Sequence, residues 1–299
     1  MNQQFNSKTK SGMSRRNFLR LIKYASIELA LATVAGGIYV KEFEPTWLDI
    51  TEINLKLPRL SKAFSGFRLV QFSDLHYGGW MNADRLAYIL SVVSSLSPDL
   101  VAITGDFVLD QHRSFLYEDQ IQYEELSSAL RTFTDRHQTV GVSGNHDYWT
   151  KTVAIKDVLQ KSGIIDLNNG VHTIKSAGET FFVAGVDDVI AGRDRLITVL
   201  GQLPAEGSVI LLAHEPDFAD TSAVVDRFDL QLSGHSHGGQ IVIPFVGPLA
   251  LPYLGQKYSE GLYRVGNMLH YTNRGVGMKP PFVRFNCRPE ITVFTLLCA

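Results

Sequence analysis

Thr139-Val140-Gly141-Val142-Ser143 runs straight into Gly144-Asn145-His146-Asp147: an apolar stretch, then a glycine, then three polar side chains. The apolar run has the composition of a buried strand, and the end of a buried parallel strand is where an open sheet presents chemistry. Taken alone, Gly-Asn-His-Asp is also a good strand-to-loop turn, because glycine, asparagine and aspartate all turn easily. Four further strand ends weigh against that plain turn. Asp74-Leu75-His76 follows residues 67–72, and Gly105-Asp106 follows residues 100–104. His214 follows residues 209–213, and His235-Ser236-His237 follows residues 231–233. Each apolar run stops in side chains that ligate metals.

Working outward, residues 67–72 and 100–104 read as strands, and Asn82 reads as the cap of a helix carrying Leu86, Ile89, Leu90 and Val93 on one face. Helices near 118–133, 152–161 and 196–203 alternate with strands at 139–143, 181–186 and 208–213. This alternation predicts an α/β fold with helices covering sheet faces. From Leu230 onward short strands at 231–233, 240–243, 261–265, 269–272 and 290–297 are separated by glycine and proline turns, which predicts a second, more antiparallel sheet. Residues 41–65 read as a connector with a strand-like patch at 47–57. The chain therefore divides into an N-terminal segment (1–40), the connector (41–65) and one main domain (66–299).

With 299 residues, 45% of them hydrophobic, there is ample material for one large core, and a net charge of −2 gives no general case for nucleic acid. Positive charge is bunched at the start: Lys8, Lys10, Arg15, Arg16, Arg20 and Lys23 all precede the first acidic residue, Glu28. Ser14-Arg15-Arg16-Asn17-Phe18-Leu19-Arg20 resembles a twin-arginine export signal, which implies the twin-arginine translocase as a partner. The apolar segment from Tyr24 to Val40 is shorter than the ~20 residues that comfortably span a bilayer, so it reads better as the apolar part of a signal. Cleavage near Ala30/Ala32 or Thr33/Ala35, and retention as an anchor, both stay open. Cys287 and Cys298 lie far in sequence from the ligand clusters; export would permit one bridge between them, and two cysteines do not make a disulfide framework.

Aspartate and neutral imidazole together suit borderline divalent ions such as manganese, iron, zinc or nickel. Along an extended chain positions i and i+2 point the same way, so Asp74 and His76 can reach one ion, and His235 and His237 repeat the spacing. Gly105 lets the backbone turn so that Asp106 reaches inward.

The order Asp-x-His, Gly-Asp, Gly-Asn-His-Asp, a later His and Gly-His-x-His resembles the calcineurin-like metallophosphoesterases, over roughly residues 67–297. The resemblance implies a four-layer α/β/β/α sandwich and a centre of two divalent metal ions, Mn2+ foremost. One ion would take Asp74, His76, Asp106 and His237; the other Asp106, Asn145, His214 and His235, with Asp106 bridging. His146 corresponds to the family histidine that contacts the scissile phosphate or protonates the leaving oxygen, and Asp147 supports it. Many relatives carry a second aspartate where this chain has Leu109, with Asp110 one later, which puts in doubt any role resting on that residue.

Gly234–Gln240, the run Gly185-Val186-Asp187-Asp188, Lys257-Tyr258 and Asn273-Arg274-Gly275-Val276-Gly277 resemble the membrane-associated branch. That branch includes YkuE-like and YaeI-like phosphodiesterases and UDP-2,3-diacylglucosamine pyrophosphatases of lipid A synthesis. It implies a phosphate-ester substrate, lipid-linked or otherwise of the envelope, met in the cell envelope or at the membrane. Arg274 is a candidate phosphate contact, since a guanidinium binds phosphate oxygens bidentately; a structural turn arginine is the alternative. The apolar stretch 243–253 stands open between a lipid-facing lip and packing on the second sheet, with packing the expectation. A phosphoesterase-like scaffold without activity would have shed ligands or His146, and none is missing.

Overall fold

The computed structural model describes residues 13–109, 123–150 and 152–299, apart from the side chains of Thr152 and Val153. Helix α1 (Arg15–Ile38) is capped by Ser14, whose hydroxyl accepts the Asn17 N–H, and none of its residues is buried. It runs on through a π turn (Tyr39–Phe43) and a 3-10 turn (Glu44–Thr46). Because it starts at Arg15, Leu19, Leu21 and Ile22 extend the apolar surface upstream of Tyr24. The stretch Arg15–Thr46 is thus long and apolar enough to cross a membrane, by length and composition. The segment is therefore not too short to span, as the sequence had suggested.

The body follows in the order β1 (Asp49–Leu57), β2 (Phe67–Phe72), α2 (Ala83–Ser95), β3 (Leu100–Ile103), α3 (Tyr123–Thr134), β4 (Thr139–Gly141), α4 (Asn145–Trp149), α5 (Thr152–Ser162), β5 (Ile165–Asp166), β6 (Gly170–Ser176), β7 (Glu179–Gly185), α6 (Leu196–Gln202), β8 (Val209–Leu212), α7 (Ala219–Ser222), β9 (Leu230–Ser233), β10 (Val242–Ile243), β11 (Gly247–Pro248), β12 (Gly261–Val265), β13 (Met268–Thr272) and β14 (Glu290–Cys298). Two six-stranded sheets result, in the orders β1-β14-β2-β3-β4-β5 and β12-β13-β9-β8-β7-β6.

Three apolar clusters show the layering. Val70 and Phe72 of β2, Val101 and Ile103 of β3, and Ile291 and Val293 of β14 pack under α2, α3 and α5. The opposite faces, with Leu69, Leu100, Val140 and Phe294, meet Phe181, Val183, Ile210, Leu212 and Leu232 of the second sheet. The far face of that sheet, with Ala184, Val209 and Leu211, is covered by Val199 of α6 and by Phe218 and Ala219. The period-two alternation of each strand therefore feeds two cores at once, and the architecture is the expected α/β/β/α sandwich.

Two sequence expectations change. Residues 49–57 are not connector but an edge strand, paired in parallel with β14 along its whole length. The last third does not form its own antiparallel sheet: β9 lies parallel between β8 and β13, while β14 inserts into the first sheet between β1 and β2. β9 is buried throughout, but its sequence Leu230-Gln231-Leu232-Ser233 alternates apolar and polar and so reads as a half-exposed strand and not as a central one. The edge strand β6, half-polar throughout, was missed for the same reason edge strands usually are. The expected start of the third helix, near Glu118, lies outside the described residues.

Candidate metal centre

All the ligand-bearing loops leave the carboxyl ends of strands that run parallel to a neighbour: β2, β3 and β4 in one sheet, β8 and β9 in the other. Where the two sheet edges meet, the loops are tied to each other through the backbone. Asp74 N–H donates to the Gly105 carbonyl at 3.0 Å, His76 N–H to the Asp106 carbonyl at 3.0 Å, and Gly234 N–H to the His214 carbonyl at 3.0 Å. Two glycines permit this crowding. A Cβ on Gly144 would stand 2.4 Å from Asp106 Oδ1, and one on Gly234 would stand 1.9 Å from Ser73 Oγ. Asp74, His76, Asp106, His235 and His237 all adopt left-handed backbone, with φ between 47° and 68°. Such strain persists only where surrounding structure enforces it, and it clusters at functional sites.

The side chains converge into two buried triads, Asp74/His76/His237 and Asp106/His214/His235, each with its donor atoms within 4.8 Å of one another. His76 Nε2 and His237 Nε2 approach to 2.9 Å, and Asp74 Oδ1 lies 3.9 and 3.4 Å from them. Asp106 Oδ2 is 3.6 Å from His76 Nε2 and 3.2 Å from His214 Nε2, so one carboxylate touches both triads. The outer hydrogen bonds orient the rings. His214 Nδ1 meets the Thr104 carbonyl at 2.6 Å and His235 Nε2 meets the Tyr253 carbonyl at 2.8 Å. A carbonyl only accepts, so these nitrogens carry the protons, leaving His214 Nε2 and His235 Nδ1 as lone pairs.

Charge balance follows from burial. Burial pushes Asp74 up to about 6, pushes His235 down to about 4, and holds His76 and His237 well below the usual imidazole range. Asp106 resists its own burial because His214, His146 and His76 surround it, and its carboxyl stays well below the ordinary range. His214 also resists burial: Asp106 and Asp74 hold it well above its usual value, so a proton and a cation compete for its Nε2.

The comparisons with known proteins bear on this geometry. The family model described as calcineurin-like phosphoesterase matches residues 67–239. This chain belongs to the calcineurin-like phosphoesterase family. Among its relatives, the Bacillus subtilis protein named uncharacterized metallophosphoesterase YkuE is 34% identical over 95% of this chain and 98% of its own length. Phosphodiesterase YaeI of Escherichia coli K12 is 29% identical over 95% of this chain and 100% of its own length. A zebrafish protein named transmembrane protein with metallophosphoesterase domain is 31% identical over 83% of this chain and 57% of its own length. The chain is a metallophosphoesterase, a hydrolase acting on phosphate esters.

The donor set of this phosphoesterase fits divalent cations. Asn145 Oδ1 and His214 Nε2 are buried without a hydrogen-bond partner. Leaving such atoms unpaired costs ~1–3 kcal/mol each unless an ion takes them. Asp74, His76, Asp106 and His237 would hold one ion, and Asp106, Asn145, His214 and His235 the other.

The remaining predicted residues take distinct places. His146 is half-buried; its N–H donates to Asp106 Oδ1 at 2.9 Å, and its ring stands edge-on to His76 at 4.6 Å and near Trp149 at 4.9 Å. It is thus held without the second aspartate of many relatives: Leu109 is buried, and Asp110 lies outside the described residues. Asp147 points away from the centre, accepting the N–H groups of Gly144 at 2.9 Å and Val108 at 3.1 Å, and so fastens two ligand loops. Burial, with Asp106 nearby, pushes its carboxyl up to about 7. Asp187 accepts the Tyr148 hydroxyl at 2.6 Å and steadies α4.

Arg274 departs from expectation. Its guanidinium donates to Asp49 at 2.8 Å and Glu290 at 3.3 Å, a network between β1, β14 and the loop before it. The guanidinium is occupied by carboxylates, so it offers no fork to a phosphate. Cys287, expected far from the ligands, is folded against them: its thiol lies 3.1 Å from the His237 carbonyl. Neither cysteine is bonded to the other. Sequence reasoning missed Arg284, fully buried, which donates to the carbonyls of Arg274, Gly275 and Gly277 at 3.0, 3.1 and 2.7 Å. That loop in turn packs on Asp74, with Gly277 N–H donating to the Asp74 carbonyl at 2.8 Å. It also missed Lys279, two residues on, whose backbone is clasped by Gln240 at 2.9 and 3.1 Å. Burial pushes the Lys279 ammonium down, while the carboxylates of Asp74 and Asp106 pull it up. A lysine among Gly, Met and Pro carries no sequence pattern that would reveal this.

Proposed function

We propose that this metallophosphoesterase hydrolyses a phosphodiester or pyrophosphate bond of an amphiphilic substrate at the envelope face of a membrane, using two transition-metal ions, Mn2+ foremost. The observation that carries the hydrolytic part is the bridging position of Asp106, within 3.6 Å of imidazole nitrogens from both triads. When bound, two divalent cations neutralise phosphoryl oxygens and lower the pKa of water, which is what in-line displacement at phosphorus requires. His146 supplies the proton to the leaving oxygen, held for that by Asp106 and by ring contacts to His76 and Trp149. Lys279, in place of Arg274, contributes positive charge where the phosphoryl oxygens gather. Asp147 and Arg284 keep the loops at their spacing. The seven ligand positions favour this reading over an inert scaffold.

The twin-arginine pattern at the start of α1 supports export of the folded, metal-loaded domain, with α1 retained as an anchor. Export would place the domain away from a cytoplasmic sugar-nucleotide lipid, which favours an envelope phosphodiester over UDP-2,3-diacylglucosamine. The test is the purified Mn2+ form against lipid-linked and soluble phosphodiesters and pyrophosphates, together with fractionation of cells carrying Arg15→Lys/Arg16→Lys. Equal rates on soluble and lipid-linked substrates would end the amphiphile reading. Unchanged translocation of the double variant would end the twin-arginine reading.

A further inference from the structure

Residues 243–253 do not pack on the second sheet as expected. β10 and β11 form a hairpin pairing Val242 with Pro248 and Ile243 with Gly247. Beyond it, Val246, Leu249 and Tyr253 are 79%, 65% and 71% exposed, and Phe245 at the tip is fully exposed. Among the described residues of the body this is a contiguous apolar surface in a short length of chain, and such surfaces on a soluble face are costly unless something covers them.

Two adjacent residues say what covers it. Arg284 N–H donates to the Val40 carbonyl at 2.9 Å, at the base of the N-terminal helix. Phe285 faces the other way: its N–H donates to the Gln240 carbonyl at 3.0 Å, and its carbonyl accepts the Val242 N–H at 2.8 Å. The helix base and the hairpin therefore flank one strand-like segment, about 10 Å apart by two strand spacings. The helix base is fixed further by Glu44, which is buried and accepts the Cys287 N–H at 2.6 Å. Along this base, Tyr39, Phe43 and Trp47 are exposed aromatics. Exposed aromatics at the end of a spanning helix mark the level of the membrane–water interface.

We infer that the hairpin at residues 242–253 enters the interfacial region of the same bilayer that α1 crosses, giving the domain a second membrane contact beside its metal centre. This rests on the anchoring proposed above. The hairpin is continuous with the ligand loops. The Tyr253 carbonyl orients His235 at 2.8 Å, and a Cβ on Gly239 would meet Pro248 at 2.3 Å. An amphiphile whose acyl chains stay in the bilayer would meet the centre along this side, with its phosphate drawn out and its chains against Phe245 and Leu249.

The test reads depth and not turnover. The full chain with Cys298→Ser leaves Cys287, which is buried. Phe245→Cys, Leu249→Cys or, as a control on the exposed side of α6, Ile197→Cys is added and labelled with an environment-sensitive fluorophore. Each protein is reconstituted in phosphatidylethanolamine and phosphatidylglycerol vesicles containing lipids brominated on the acyl chains. Labels at 245 and 249 are expected to shift to the blue and lose most of their emission, while the label at 197 keeps its own. If the protein floats with the vesicles and all three labels behave alike and unquenched, the hairpin does not enter the bilayer and the inference is overturned. If the protein does not float, anchoring and hairpin contact both fail. Loss of phosphodiesterase activity with quenching intact would strike the proposed reaction alone.

Discussion

Gly144→Ala isolates the packing of the centre from every other variable. Gly144 has φ −116° and ψ −179°, extended backbone that alanine adopts freely, so the substitution carries no conformational penalty. What it adds is one methyl group, 2.4 Å from Asp106 Oδ1, 2.7 Å from Asp106 N and 2.7 Å from His214 Nε2. None of these atoms is the end of a flexible side chain. Asp106 is held by His146 N–H, and His214 by the Thr104 carbonyl. Overpacking of this kind costs ~1–3 kcal/mol. If the bridging carboxylate and His214 give way, that strain appears as about 5- to 150-fold weaker metal binding. Manganese occupancy is to be measured in chelator-buffered Mn2+, with thermal unfolding of the metal-free protein in parallel. Gly201→Ala in α6 has nothing within 4 Å of the new methyl and should stabilise by about 0.5–1 kcal/mol, leaving metal affinity alone. A Gly144→Ala protein with wild-type manganese affinity and turnover would show that the loops are not locked together as described.

Excess chelator should abolish turnover, and Mn2+ should restore it better than Mg2+, because imidazole donors favour softer ions; turnover by protein verified metal-free would sink the two-ion scheme. His146→Ala should keep both metal equivalents while turnover falls ~10²–10⁴-fold, and metal analysis showing a lost equivalent would reassign it as a ligand. Arg274→Ala should lower stability by ~1–3 kcal/mol through its lost charged hydrogen bonds to Asp49 and Glu290, which keep Arg288 and the Thr51 and Tyr271 hydroxyls as partners, with kcat per folded molecule nearly intact; a large kcat loss at unchanged melting temperature would return it to the substrate. Asp188, buried against Glu215, is pushed up to about 9 by burial and that neighbour. A raised carboxyl contributes stability that is complete below its ordinary value near 3.8 and is lost as pH rises toward 9. Asp188→Asn should therefore melt above wild type at pH 9, and parallel pH profiles would refute the raised Asp188 carboxyl.

The residues that the structure gathers into the candidate metal centre were legible because each sits where a strongly apolar strand stops, and a strand end is a local feature that six or seven residues reveal. Asp74, Asp106, Asn145, His214, His235 and His237 needed no knowledge of which strand neighbours which. The errors share the opposite property. Whether β9 lies beside β13 or β8, whether residues 49–57 join a sheet, and whether Phe245 is covered all depend on partners far along the chain. Arg274 illustrates the limit well. Its residue type suits a phosphate, and only the tertiary placement of Asp49, 225 positions away, shows that its charge is already met. Lys279 fails in reverse, since nothing local marks it and Gln240, 39 positions away, sets it in place.

The backbone at the centre is arranged against its own preferences, and the pattern is selective. Asp74, His76, Asp106, His235 and His237 are left-handed, whereas His214 and Asn145 are not. The strained five lie in the loops after β2, β3 and β9, where the chain must reverse direction and still aim a side chain back at the seam between the sheets. Asn145 instead opens α4 and gains its aim from the helix start, with Asp147 closing the turn onto Gly144 N–H. His214 gains its aim from the Thr104 carbonyl. Left-handed backbone at ~1–3 kcal/mol per residue, added to buried carboxylates at Asp74, Asp106 and Asp147 that repel one another, makes the metal-free seam an unfavourable arrangement held by the two sheets behind it. Cations that neutralise the carboxylates relieve part of that cost, so binding and loop order are linked in one free energy. The rigid sandwich can hold such a seam ready because its three apolar clusters are built mostly from the strands and helices behind the loops, and Leu75 and Phe107 tie the loops after β2 and β3 into the first of them.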